Sequence, residues 1–399
     1  MRKLKKIYTL LIVLYPLLSV YSTGIPSLSI ADAILIVITL MFFYISQFKI
    51  KISCENKAFF LFLLYMIFTF VLQFAFFDAS VFSTLRYSLF IISVICLRDL
   101  FDFEYGIKVL GYVTVAVSTY VVLQYLSAHY MGRTLPWRIP GLPIMDNNFV
   151  AKEQTSYYMT FYRPSGIFYE PTHYAQYCLI YPCYLLFADE NMRDKKKWIY
   201  IVIIGCGIIC SGSSAGLLMI AGIFGFYYMK YICKGKINAQ LIILTTIIII
   251  GCFYLINTPE LYKIVSKLIA EDGSNVSVSV GYRFNSVINI FSNNRSIFEI
   301  LFGSGRGSQT EYYTAIFYVI YAHGFVGLVL FLNIFIQVRK QISTDFQKVS
   351  LWIILIMTIG SEMIVNFGIM TYFVYILTYR KNISFINLTT NKNRKDRWY

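Results

Sequence analysis

Residues 241–256 read Leu-Ile-Ile-Leu-Thr-Thr-Ile-Ile-Ile-Ile-Gly-Cys-Phe-Tyr-Leu-Ile, without one charged side chain. Comparable apolar blocks recur at 198–210 and 325–338. A water-soluble core cannot bury so many runs of this kind. Lipid accepts them, provided that each backbone satisfies its own hydrogen bonds, as a helix does. Composition agrees: 58% of the residues are hydrophobic and 14% charged, whereas soluble domains carry about 25% charged residues. The expected fold is all-α, a single polytopic membrane domain over 1–399 with no separate soluble domain.

Twelve spans are expected, at 7–21, 28–47, 58–77, 84–98, 108–127, 174–189, 198–211, 214–230, 239–256, 312–338, 349–365 and 367–380. The pair 198–211 and 214–230 is short. Lys195-Lys196-Lys197 before it and Lys230, Lys234 and Lys236 after it nevertheless demand a return to one side. That makes Ser211-Gly212-Ser213-Ser214-Ala215-Gly216 a tight turn at the opposite face. Residues 1–6 carry signal-like charge, but Tyr21-Ser22-Thr23-Gly24 offers no small-residue cleavage site, so the first apolar segment is expected to stay as a helix.

With both ends inside, most of the 35 Lys and Arg fall on the cytoplasmic side, as the positive-inside rule requires. Those left outside are Arg86, at the outer start of the fourth span, and Arg133, Arg138, Lys152, Arg163, Lys263, Lys267, Arg283, Arg295 and Arg306. All but Arg86 lie in two long outer loops, at about 128–173 and 257–311, to which the rule does not apply. The net charge of +15 therefore reflects orientation in a membrane and not nucleic-acid binding. The second loop reads as short amphipathic helices lying at the interface, and the polar, basic tail at about 381–399 as cytoplasmic. None of the eight cysteines forms a C-x-x-C pair and both long loops lack cysteine, so neither a disulfide framework nor a zinc site is expected.

Four constellations carry candidate chemistry. Arg163-Pro164-Ser165-Gly166-Ile167-Phe168-Tyr169-Glu170-Pro171-Thr172-His173 packs an arginine, a glutamate and a histidine beside a membrane surface, where ionisable groups are expensive. Proline after Glu170 suits a helix start, so Glu170 reads either as a capping carboxylate paired with Arg163 or as a general base. The outer arginines Arg163, Arg283, Arg306 and Arg86 suit a diphosphate, because the planar guanidinium binds two oxygens at once. Headgroup anchoring explains any one of them singly. Gly303-Ser304-Gly305-Arg306-Gly307 fits neither a P-loop nor a dinucleotide fingerprint, and is either an anion nest or a hinge. The Ser211–Gly216 turn reads as close helix packing, with a hydroxyl contact to sugar from Ser213 as the functional alternative. His323, before Gly324, reads as a satisfied intramembrane histidine packed against glycine, with a catalyst as the alternative. Glu362 stands near the outer end of the eleventh span, where it could face the same cavity.

Arg163-x-x-Gly166-x-Phe168-x-Glu170-Pro171-x-x-x-Ala175 resembles the central motif of the O-antigen polymerase and O-antigen ligase superfamily. The Ser-rich turn, Arg283, Gly303-x-Gly305 and Gly324-x-x-Gly327 follow in the order that this family shows. Ligases of the superfamily carry a His-Asn or similar pair where this chain has Tyr313-Thr314, which favours the polymerase branch.

The resemblance implies a membrane glycosyltransferase of GT-C-like architecture in the bacterial inner membrane, with both termini cytoplasmic. It would transfer a growing glycan from undecaprenyl diphosphate to a sugar hydroxyl of another lipid-linked repeat unit at the periplasmic face. The product would be an O-antigen, forming part of lipopolysaccharide, or a capsule. No metal and no cofactor are expected, since the diphosphate is itself the leaving group. Glu170, Arg163 and Arg283 are then the expected catalytic residues. Arg86, Tyr169, His173, Ser213, Gly303, Gly305 and Arg306 are the expected substrate contacts. Membrane lipids and a chain-length regulator are the expected partners, and nucleic acid is not. The alternatives are a ligase delivering glycan to lipid A-core and a flippase for lipid-linked oligosaccharide.

Overall fold

The computed structural model describes residues 2–25, 28–47, 56–145, 162–188, 194–233, 290, 295–309 and 313–380. These residues are helical throughout, joined by turns, with two isolated β-bridges and no strand among them. In chain order the helices are α1 (Arg2–Leu18), α2 (Ile30–Ile45), α3 (Lys57–Phe77), α4 (Val81–Ile92), α5 (Phe103–Met131), α6 (Pro171–Cys178) and α7 (Ile180–Phe187). They continue with α8 (Asp194–Cys210), α9 (Ser214–Cys233), α10 (Ile297–Phe302), α11 (Ala315–Gln341), α12 (Asp345–Gly360) and α13 (Gly368–Thr378).

Among the described residues, four stretches are long and apolar enough to cross a membrane: Lys57–Phe77, Val81–Leu100, Phe103–Met131 and Ala315–Gln341. Ile30–Ile45, Ser214–Lys230 and Gly368–Thr378 are apolar but shorter. The helix Lys57–Phe77 buries only a third of its apolar window inside the protein and leaves Phe68 and Phe76 each 73% exposed. An apolar surface of that kind needs lipid against it.

Local signals set the helix ends. Ser29 and Asp32 form a capping box at the start of α2, and Thr344 and Gln347 form another at α12. Asp102 accepts a hydrogen bond from Tyr105 N at the start of α5, and Gly132 closes that helix with φ 61°. α5 therefore runs on to Met131, past the position near 128 where the first long loop is expected to begin. The expected span at 174–189 begins at Pro171 and bends at Leu179 into α7. The fourth span leaves α-geometry after Ile92, passing through a π-helical turn and a 3₁₀ turn that ends at Leu100.

Two breaks shape the region around the site. At Gly324, inside α11, the backbone adopts φ 66° and ψ −172°. After α12 the chain unwinds at Ser361, passes through the 3₁₀ turn Met363–Val365, and restarts as α13. The expected spans at 312–338 and 349–365 are thus each interrupted. Inside a membrane, irregular backbone is tolerated only where protein or a cavity covers it. Here the segment Gly303–Gly305 covers the first break: Ser304 N donates to Tyr321 O at 2.9 Å and Gly305 N to Ala322 O at 3.0 Å. Gln73, from α3, adds its side-chain amide to Phe302 O at 2.7 Å and Ala322 O at 2.9 Å. A Cβ on Gly324 would strike the backbone of Leu301, and one on Gly303 the backbone of Ala322. The two glycines let the chains meet. The expected ninth span at 239–256, most of the expected second outer loop, and the tail at 381–399 lie outside the described residues.

Candidate functional site

A cavity of about 300 Å³ opens where the irregular segments converge. Pro16 and Ser19 come from the end of α1, and Ser83, Arg86, Tyr87 and Phe90 from α4. Trp137, Ile144 and Met145 follow α5, and Phe168, Tyr169 and His173 belong to the Arg163–His173 motif. Arg306 and the break residues Glu362, Asn366 and Phe367 complete the wall. Residues far apart in sequence thus supply two arginines, a histidine and a carboxylate to one space.

Arg306 is only 5% exposed. Its guanidinium lies 4.0 Å from the ring centroid of Tyr87 and 4.9 Å from that of Tyr318, and Nη2 donates to Val365 O at 2.9 Å. Its Nε and Nη1 and the Tyr87 hydroxyl are buried with no hydrogen-bond partner among the described residues. Buried donors left in this state are costly unless a ligand or water satisfies them. Arg86 is held differently: its Nε lies 3.0 Å from both carboxylate oxygens of Asp32.

The motif folds as a tight turn leading into α6. Gly166, at φ 68°, is gripped by the Gln124 side chain, which accepts from Gly166 N at 2.8 Å and donates to Gly166 O at 3.1 Å. Val117 leaves no room for a Cβ there, since it would lie 2.7 Å from one. Glu170 occupies the N-cap with Pro171 next, as the sequence suggests, but its side chain makes no cap hydrogen bond and is exposed. It does not line the cavity, whereas its neighbours Tyr169 and His173 do, with rings stacked 5.9 Å apart.

Several expectations change in detail. Arg163 donates from Nη2 to Gly212 O at 2.9 Å, which ties the motif to the Ser-rich turn. Ser213 is fully buried, and its hydroxyl accepts from Gly216 N at 3.2 Å, so it caps α9 and faces no open space. Gly303 N donates to Glu299 O, and the amides of Ser304 and Gly305 cover the broken helix. Those three amides are spent on protein carbonyls, so they do not form an anion nest. His323 is buried against the Phe62 ring, and neither ring nitrogen has a partner among the described residues, so it is not the satisfied histidine expected. Arg283 lies outside the described residues. No three His, Cys, Asp or Glu side chains among the described residues converge as a metal site would require.

Asp32, Tyr87 and Tyr318 were not legible as site residues. Asp32 had one signal, an acid in an apolar span, but Ser29-x-x-Asp32 explains that as a capping box. Tyr87 and Tyr318 are two of 34 tyrosines, with nothing in their spacing to mark them. No protein-family model matches the chain, and no match is found among curated protein sequences.

Proposed function

We propose that the protein is a polysaccharide polymerase of the bacterial inner membrane. In this reading it moves a growing glycan from undecaprenyl diphosphate to a sugar hydroxyl of another lipid-linked repeat unit. One observation carries the proposal: a single cavity combines Arg86 and Arg306 with Tyr169 and His173 of the Arg163–His173 motif and with Glu362. Two planar cations fit a diphosphate, and the unused donors of Arg306 await oxygen acceptors.

The chemistry balances without a nucleotide. The bond between the anomeric carbon and the diphosphate oxygen breaks, and the acceptor oxygen forms the new bond to that carbon. The acceptor proton passes to a carboxylate, and undecaprenyl diphosphate departs with its charge against the arginines. Glu170 stands beside the rim residues Tyr169 and His173, and Glu362 lines the cavity itself. The twelve-span threading with both ends cytoplasmic would put this cavity toward the periplasm, with a chain-length regulator as protein partner.

The test is elongation of lipid-linked repeat units by purified protein in vesicles, with Glu170→Gln and Glu362→Gln measured in parallel. Loss of the base lowers the rate by about 10²–10⁴-fold. Full activity in both variants would remove the proton-transfer assignment. Translocation without elongation by the wild type would favour a flippase. In the native host, deleting a polymerase leaves single repeat units on the surface, whereas deleting a ligase leaves none.

A further inference from the structure

Asp32 opens α2 within an otherwise apolar run and is only 2% exposed. Every side of its carboxylate is engaged. Ser29 donates to Oδ2 from its backbone N at 3.1 Å and from its hydroxyl at 2.6 Å. The buried Tyr15 hydroxyl of α1 donates to Oδ1. Arg86 of α4 brings Nε to 3.0 Å from both oxygens. The capping box accounts for the Ser29 bonds alone. It gives no reason for a tyrosine and an arginine to converge on the cap from two other helices.

Joining helices is not a sufficient reason either, because well-packed apolar side chains hold helices together as well as a buried ion pair does. What the arrangement achieves is direction. An arginine side chain is long and rotamer-rich, and its fork binds two oxygens only when it is aimed. With Nε fixed on Asp32, the guanidinium plane is set at the wall of the cavity that Arg86 lines. The Arg86 side chain is 32% exposed while its partner is 3% exposed, so the carboxylate is buried and the arginine reaches open space. The Phe90 ring flanks the same guanidinium at 5.9 Å.

The geometry points to Asp32, backed by Tyr15, as the positioning residue for Arg86, holding the guanidinium by Nε so that its terminal amino groups meet a phosphate oxyanion in the cavity. This rests on the diphosphate reading above. Asp32 itself touches no substrate and acts only through Arg86.

The test uses full-length protein in nanodiscs, with undecaprenyl diphosphate as the probe and two readouts, Kd and the unfolding midpoint without ligand. Asp32→Asn keeps the side-chain size and an oxygen for the Ser29 bonds. It is expected to weaken binding about tenfold to a hundredfold, the range that a small misplacement of a binding group produces. Arg86→Gln should weaken binding similarly, and the double variant should be no weaker than Arg86→Gln alone, since Asp32 has nothing left to aim. Tyr15→Phe removes one hydroxyl and should shift Kd in the same direction by less, which keeps the test open if Asp32→Asn does not accumulate. A lowered midpoint with unchanged Kd, or losses that add in full in the double variant, would make Asp32 structural and overturn the inference. Wild-type protein that fails to bind the probe would overturn the diphosphate reading first, and the positioning role with it.

Discussion

Arg306 is sandwiched between two tyrosine rings with a single carbonyl on its fork, and the rest of the fork has no partner among the described residues. A side chain kept in that state makes the protein's stability depend on what fills the cavity. Undecaprenyl diphosphate at 100 times its Kd should add about 2.7 kcal/mol of stability to the wild type. Arg306→Met should lose most of that gain while still folding, as thermal midpoints with and without the lipid would show.

At the scale of elements, the break in α11 is a joint between helix and loop. Gly324 supplies the backbone conformation, Gly303 the close approach, and Gln73 the amide that serves carbonyls on both sides. Gly324→Ala puts a methyl group against the backbone of Leu301 at a positive φ, so it should destabilise the protein by well over about 1 kcal/mol. Gln73→Leu takes the side-chain donor from Phe302 O, while Ala322 O keeps the Gly305 amide, at a cost of about 1–3 kcal/mol. Chemical denaturation in detergent measures both. A near-neutral Gly324→Ala would mean that α11 can straighten without penalty. The same joint fixes Arg306, because Ser80 N donates to Arg306 O at 2.7 Å and so ties the loop to the start of α4. The two arginines of the cavity are thereby carried on one connected frame.

Across the whole molecule, the outward apolar residues of Lys57–Phe77 and the four long apolar stretches describe a protein that belongs in lipid. Orientation rests on charge. In a chain with its own eight cysteines replaced, reporters at Asn147 and Asn275 should react with an impermeant thiol reagent from the outside, and one at Asn391 should not. All three positions lie outside the described residues, so this prediction draws on the Lys and Arg distribution alone. Labelling at 391 only would invert the threading and put the cavity on the wrong side for a periplasmic transfer.

The sequence by itself determined the helical class, the presence of membrane-length apolar segments, and the helix start at Glu170-Pro171 that opens α6. Each of these is local: hydrophobic run length, and a proline after a cap. It also marked Arg86, Tyr169, His173 and Arg306, because ionisable and amphipathic groups beside apolar runs are costly enough to be noticed one at a time. Only the tertiary structure decided which of them share a space, and it set Glu362 rather than Glu170 on the cavity wall. It alone decided between scaffold and ligand contact for Ser213 and Gly303–Gly305, and it brought Asp32 onto Arg86. Those assignments depend on which carbonyls and carboxylates arrive from other helices. A residue's neighbours in sequence fix its backbone, but the partners that satisfy a buried charge come from chain segments dozens to hundreds of residues away.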